Sequence, residues 1–243
     1  MRLTRFVAVV LGSLLPLGSA LAFDHGKLDA LLKAHVSGGK VDYEAVRAKE
    51  PELDAYLASV GSASGTQPTG FYINAYNAIV LDALIDSGSA LPAKVTDLAG
   101  FFDKTKHRVA GKELTLNELE GMVRTSTKDA RVHFAFNCGA RSCPSLRASA
   151  WPEDAAALDS ALTAATTSFF NGSGLKIDDA KKELQVTRLM EWYADDFKAN
   201  TGTIEAFLTR SVTDTTKAAA LKAAIANGYK VTFQFYNWEP NRK

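Results

Sequence analysis

The chain has 243 residues, with 28 Lys plus Arg against 27 Asp plus Glu and a formal net charge of +1. Charges of both signs so evenly interspersed exclude an electrostatic case for nucleic acid or an anionic membrane surface, and favour an uncharged or mixed-charge small-molecule or peptide partner. Hydrophobic residues make up 47% of the sequence, enough for one substantial core, so a single domain is expected.

Residues 1–22 read as a secretory signal peptide. Arg2 and Arg5 form a charged start, Phe6 to Leu17 an apolar run, and Ala20-Leu21-Ala22 an A-x-A cleavage site before Phe23. Loss of two arginines and no acid takes the net charge from +1 to −1. The run is too short to span a bilayer comfortably, and nothing later approaches about 18 uninterrupted apolar residues, so no integral membrane segment is expected after the leader is removed. The expected location is periplasmic or secreted, an oxidising setting in which two cysteines invite a disulfide.

Residues 23–70 are expected to form an N-terminal helical segment and linker ahead of a core domain over 71–243. Phe23 to Tyr43 suggests a short helix, with Leu28, Leu31, Leu32 and His35 at helical spacing and a break at Gly38-Gly39. His35 is read as a packing residue. Glu44 to Val60 predicts a second helix, followed by a flexible connector from Gly61 to Gly70.

FYINAYNAIVLDALID, from Phe71 to Asp86, is apolar on every face and predicts a buried central helix. Asn74 and Asn77 share one of its faces. Each must find hydrogen-bond partners, either by tying down a neighbouring loop or by orienting a catalytic group or substrate. A strand or irregular loop bearing His107 follows. Thr115-x-x-Glu118 then predicts a capped helix to Arg124, on which Glu120 and Arg124 can form an ordinary ion pair.

Downstream, the pattern predicts a helix from Glu153 to Phe170, a hairpin of Leu175–Ile177 with Leu184–Thr187, and helices over 188–198, 203–211 and 215–226. The neighbours Asp195 and Asp196 point about 100° apart on a helix and are read as a solvated face. Val231, Phe233 and Phe235 alternate as a half-buried strand. The result is an α+β fold: one domain with a buried central helix and a small, mostly antiparallel sheet.

The chemistry concentrates in RVHFAFNCGARSCP, Arg131 to Pro144, which holds both cysteines and His133. Alternation of Val132, Phe134 and Phe136 with Arg131, His133 and Asn137 predicts a strand with a polar face. At about 3.3 Å per residue such a strand keeps His133 and Cys138 roughly 16 Å apart, so Cys143, able to fold back, has the easier path to the imidazole. Three readings stay open: a Cys138–Cys143 disulfide, a thiolate nucleophile activated by histidine, and a zinc site of uncommon spacing with no fourth ligand. No Gly-rich phosphate loop and no GxSxG elbow is present, and no cofactor or metal is expected.

FYINAYNAIV at Phe71–Val80, LTLNELEGMVR at Leu114–Arg124, RVHFAFNCGARSCPSL at Arg131–Leu146 and YNWEPN at Tyr236–Asn241 resemble, in order and spacing, the domain-of-unknown-function 547 family. That resemblance names no reaction. It implies functional weight for Asn74, Tyr76, Asn77, Glu120, Arg124, Arg131, His133, Asn137, Cys138 and Cys143. YNWEPN departs from the family's aspartate-tryptophan form by carrying Asn237 before Trp238.

Two functions follow as expectations. One is a thiol-dependent hydrolase or acyltransferase acting on a small or peptide-like substrate, with Cys138 or Cys143 as nucleophile, His133 as base or orienting group, and Glu120, Asn74 and Asn77 in support. The other is a non-enzymatic binding or scaffold protein with a disulfide-stapled loop.

Overall fold

The computed structural model describes residues 22–243, so the expected leader lies, apart from Ala22, outside the described residues. Helix α1 spans Gly26–His35, and strands β1 (Val36–Ser37) and β2 (Lys40–Val41) pair antiparallel around the Gly38-Gly39 turn. The expected short helix is thus Gly26–His35, and the expected Gly38-Gly39 break is the turn of a hairpin. The expected Glu44–Val60 helix is divided, into α2 (Tyr43–Arg47) and α3 (Glu50–Ser62), because Pro51 is accommodated only in the first turn of α3.

Helix α4 spans Thr69–Ile85, and fourteen of its seventeen residues are buried. A helix apolar on every face has no solvent side, so neighbours enclose it: α2, α3 and, further on, α5 (Leu116–Thr127) pack against it. The hairpin of β3 (His107–Val109) and β4 (Lys112–Leu114) leads into α5. Thr115 caps α5 as its spacing predicts: Glu118 N–H donates to Thr115 Oγ1 at 3.1 Å, and Thr115 N–H to Glu118 Oε2 at 2.8 Å.

Helix α6 (Ala155–Asn171) precedes β5 (Leu175–Asp178) and β6 (Glu183–Val186), the predicted hairpin, paired with Leu175 opposite Val186. The expected helix over 188–198 is broken at Tyr193 into α7 (Leu189–Trp192) and α8 (Ala194–Thr201). Helices α9 (Ile204–Ser211) and α10 (Thr215–Ala226) follow, and β7 (Lys230–Phe233) joins β6 in parallel, with Leu184 opposite Val231. The architecture is thus α+β, with helices predominating over three small, largely antiparallel sheets. Leu28, Leu53 and Val60 share one continuous apolar cluster with Phe134, Leu184 and Tyr236. No described helix is long and apolar enough to cross a membrane.

Candidate functional site

Arg131–Asn137 is not the predicted strand. Asp129 accepts the Arg131 amide at 2.9 Å and opens a 3-10 turn over Ala130–Phe134. The alternation misleads because Val132, His133, Phe134, Ala135, Phe136 and Asn137 are all buried, leaving no solvent face to define a period of two. The tighter turn brings His133 and Cys138 to the wall of one cavity, where an extended strand would have separated them.

Helix α4 fixes the segment through its two buried asparagines. Asn77 Nδ2 donates to the Ala135 carbonyl at 3.0 Å, and its Oδ1 accepts the Asn137 amide at 2.8 Å. Asn74 makes the same two-way bond with the Trp151 backbone, at 2.9 and 2.7 Å. Asn137 continues the scaffold, donating to the Pro144 carbonyl at 2.7 Å and accepting the Gly139 amide at 3.0 Å. These three amides hold backbone and do not face the cavity.

Residues 237–241 clamp the loop from the far side. Arg141 N–H bonds the Glu239 carbonyl at 2.8 Å, Asn237 N–H bonds Ser142 Oγ at 2.8 Å, and Asn241 N–H bonds the Gly139 carbonyl at 2.8 Å. Asn237 Oδ1 takes the Glu239 amide, so at this departure from the family pattern the side chain shapes the turn. Between the clamps Gly139 adopts φ +81°, and a β-carbon there would lie 2.5 Å from Leu84 Cδ1. Only glycine meets both conditions without strain.

The cavity has a volume of about 250 Å³. Its polar lining comprises Glu120 and Asn117 from α5, His133, Cys138 and Cys143. Tyr76 from α4 is buried beside them, 4.8 Å edge-to-face from Phe136. Leu189, Trp192 and Tyr193 from the α7–α8 region, with Tyr236, Trp238 and Phe102, supply the remaining wall.

His133 Nε2 lies 2.8 Å from Asp196 Oδ2, and the same oxygen accepts Arg124 Nε at 2.7 Å. The ring also stacks on Tyr193 at 4.1 Å, and the Arg124 guanidinium covers the Tyr193 ring at 4.4 Å. Burial drives the His133 pKa down to about 4, overcoming the contrary pull of Asp196. Burial raises the Asp196 carboxyl, but bonds from Arg124 and His133 outweigh it and hold the group below its ordinary value. An ionised carboxylate only accepts, so neutral His133 carries its proton on Nε2 and leaves the Nδ1 lone pair free. Nδ1 lies 3.8 Å from Glu120 Oε1, too far for a hydrogen bond. Burial raises the Glu120 carboxyl above its usual pKa, with a bond from Tyr193 opposing.

Both cysteines are free, so the Cys138–Cys143 disulfide is absent and the loop is held by the hydrogen bonds just described. Cys138 N–H donates to Cys143 Sγ at 2.9 Å, and Cys138 Sγ lies 3.2 Å from Tyr236 Oη. Burial pushes the Cys138 thiol up, but bonds from the Cys143 thiol, the Tyr236 hydroxyl and the Ala140 amide more than offset it, leaving Cys138 below the usual thiol pKa. Burial and the neighbouring Cys138 push Cys143 well above. Neither sulfur is hydrogen-bonded to His133, whose Nε2 is taken by Asp196. Among the described residues no group of three or more His, Cys, Asp or Glu could hold a metal ion.

Of the residues singled out in the sequence, Glu120, His133, Cys138, Cys143 and Tyr76 meet at the cavity. Arg131 does not: it binds Asp129 and Asp159 outside it, at 2.6 and 2.7 Å. Arg124 turns from the expected Glu120 partner to Asp196, behind the imidazole. Asp196 is the main correction, a member of the site rather than of a solvated face, while its neighbour Asp195 is exposed. Tyr193, Tyr236 and Asn117 were also missed. Asn117 and Tyr236 lie within the LTLNELEGMVR and YNWEPN blocks, whereas Tyr193 lies in none of the four.

Fold and site together define an α+β protein in which a thiol pair, a carboxylate-bound imidazole and a buried carboxyl surround an aromatic cavity. Residues 61–170 match the model of the family described as Protein of unknown function, DUF547. That segment carries Glu120, His133 and both cysteines, whereas Tyr193, Asp196 and Tyr236 lie beyond it. No curated protein and no solved structure matches the chain.

Proposed function

We propose that the chain is an exported, thiol-dependent acyl-transfer enzyme, a hydrolase or acyltransferase acting on a small or peptide-like substrate with Cys138 as nucleophile. The observation that carries this reading is the placing of Cys138 Sγ at the cavity beside Tyr236 Oη at 3.2 Å, in the space that His133 and Glu120 also line. Donors aimed at a sulfur favour its thiolate, the nucleophilic form. Export rests on the pattern from Arg2 to Ala22.

In the reaction, the Cys138 sulfur attacks the substrate carbonyl, forming a carbon–sulfur bond while the C=O electron pair moves to oxygen. Collapse expels the leaving group, which takes the proton of Glu120, a carboxyl that burial keeps protonated above its normal range. Water or an acceptor nucleophile then attacks the thioester, giving its proton to His133 Nδ1, the Cys138 thiolate departs, and the imidazolium passes that proton to the Glu120 carboxylate across the cavity both line, restoring the two groups. Asp196 holds the imidazole in the tautomer that exposes Nδ1, and Arg124 keeps Asp196 ionised.

The test is alkylation of unreduced full-length protein with iodoacetamide at neutral pH, read by peptide mass. Cys138 is expected to react before Cys143, at a rate whose pH midpoint lies below that of an ordinary thiol. Cys138 resisting alkylation until a reductant is added would overturn the reading.

A further inference from the structure

Seven of the thirteen residues around the cavity are aromatic, and none is Lys or Arg. Arg124, which shares Asp196 with His133, is engaged by that carboxylate and stands outside the lining. A carboxylate or phosphate entering this space would lose its water and gain no cation in return. Trp192, Tyr236 and Trp238 lie against one another with centroids 4.6 to 5.7 Å apart, forming a continuous aromatic wall.

Such a wall suits a flat, uncharged guest. The Tyr236 and Trp238 rings are inclined at 52°, and Trp192 stacks on Trp238 at 23°, so a planar ring beside them meets both faces and edges. Tyr76 and Phe136, also in the lining, form a second edge-to-face pair. An engineered apolar cavity of about 150 Å³ binds benzene. The volume of about 250 Å³ here holds one such ring together with a carbonyl placed at Cys138. Leu189 is the sole aliphatic lining residue, which gives a long alkyl chain little to follow.

We propose that the cavity selects an uncharged acyl group bearing one aromatic ring, and turns away acyl groups that end in an anion. The inference rests on the acyl-transfer reading of Cys138. The Cys138 thiolate adds to the thioester carbonyl, collapse of the adduct breaks the old carbon–sulfur bond, and the departing thiolate takes the proton of Glu120.

The experiment uses the full-length protein with phenylacetyl, acetyl and succinyl thioesters of N-acetylcysteamine, following acylation of Cys138 by intact mass and release of the thiol. Phenylacetyl transfer is expected to be about tenfold or more faster than acetyl, with succinyl no faster than acetyl. Trp192→Ala, a change at a side chain 44% exposed, should lower the phenylacetyl-to-acetyl ratio. Succinyl matching phenylacetyl, or acetyl within about twofold of it, would overturn the proposal.

A second arm uses unreactive phenylacetamide and succinamate to protect Cys138 from iodoacetamide. Protection by phenylacetamide alone, with every thioester inert, supports the ring site and sinks the acyl-transfer reading. Absence of protection, together with no preference among thioesters, sinks the ring site.

Discussion

The neutral, buried imidazole of His133 makes stability depend on pH in a calculable way. Burial holds its pKa near 4 in the folded protein, against 6.5 for an unhindered histidine. Between those values the unfolded chain binds a proton that the folded ring excludes. This contribution is therefore intact above about pH 6.5 and is lost as pH falls towards 4. At 1.36 kcal/mol per pH unit, the loss at pH 4.5 is about 2.5 kcal/mol. Glu120 acts in the opposite sense, since the strain of ionising its raised carboxyl disappears as pH falls through that raised pKa. Asp196, held low, loses its contribution only at lower pH. His133→Gln retains an amide N–H for Asp196 but does not titrate, and it leaves Glu120 in both proteins. Urea unfolding at pH 7.5 and 4.5 should show the parent protein losing about 2.5 kcal/mol more than the variant. Parallel pH dependences, or a smaller loss in the parent, would refute a neutral buried His133.

Gly139→Ala forces a β-carbon into a left-handed backbone and against Leu84, and should destabilise by about 2 kcal/mol in urea unfolding. An unchanged midpoint would contradict the tight approach to α4. Asn77→Ala strands the Ala135 carbonyl and the Asn137 amide and should lower stability by roughly 2 to 4 kcal/mol; a loss below about 0.5 kcal/mol would show those groups to be otherwise satisfied. Tyr236→Phe removes a donor to Cys138, so the pH midpoint of Cys138 alkylation should rise. A midpoint that stays put or falls would remove Tyr236 from the thiol's environment.

Contacts made within a few residues could be read from the sequence. The Thr115 capping box, the β5–β6 hairpin and the burial of most of Phe71–Ile85 follow from spacing and composition, and the paired asparagines announced the need for buried partners. The loop's geometry could not be read, because burial on all sides erased the periodicity that distinguishes a strand from a turn. Nor could the partners of the imidazole and thiol. Asp196 lies 63 residues from His133, and Tyr236 lies 98 from Cys138. An adjacent Asp195-Asp196 pair looks the same whether one member turns inward or both meet water.

That last separation sets an order of events during synthesis. Cys138 is translated 98 residues before Tyr236, Cys143 five residues after Cys138, and the clamps at Asn237, Glu239 and Asn241 come later still. At about 5 to 20 residues per second, the thiols spend roughly 5 to 20 s without these partners. During that interval they are ordinary cysteines, open to oxidation or misplaced pairing. The chain's vulnerability in biogenesis and its chemistry when folded thus belong to the same two sulfurs.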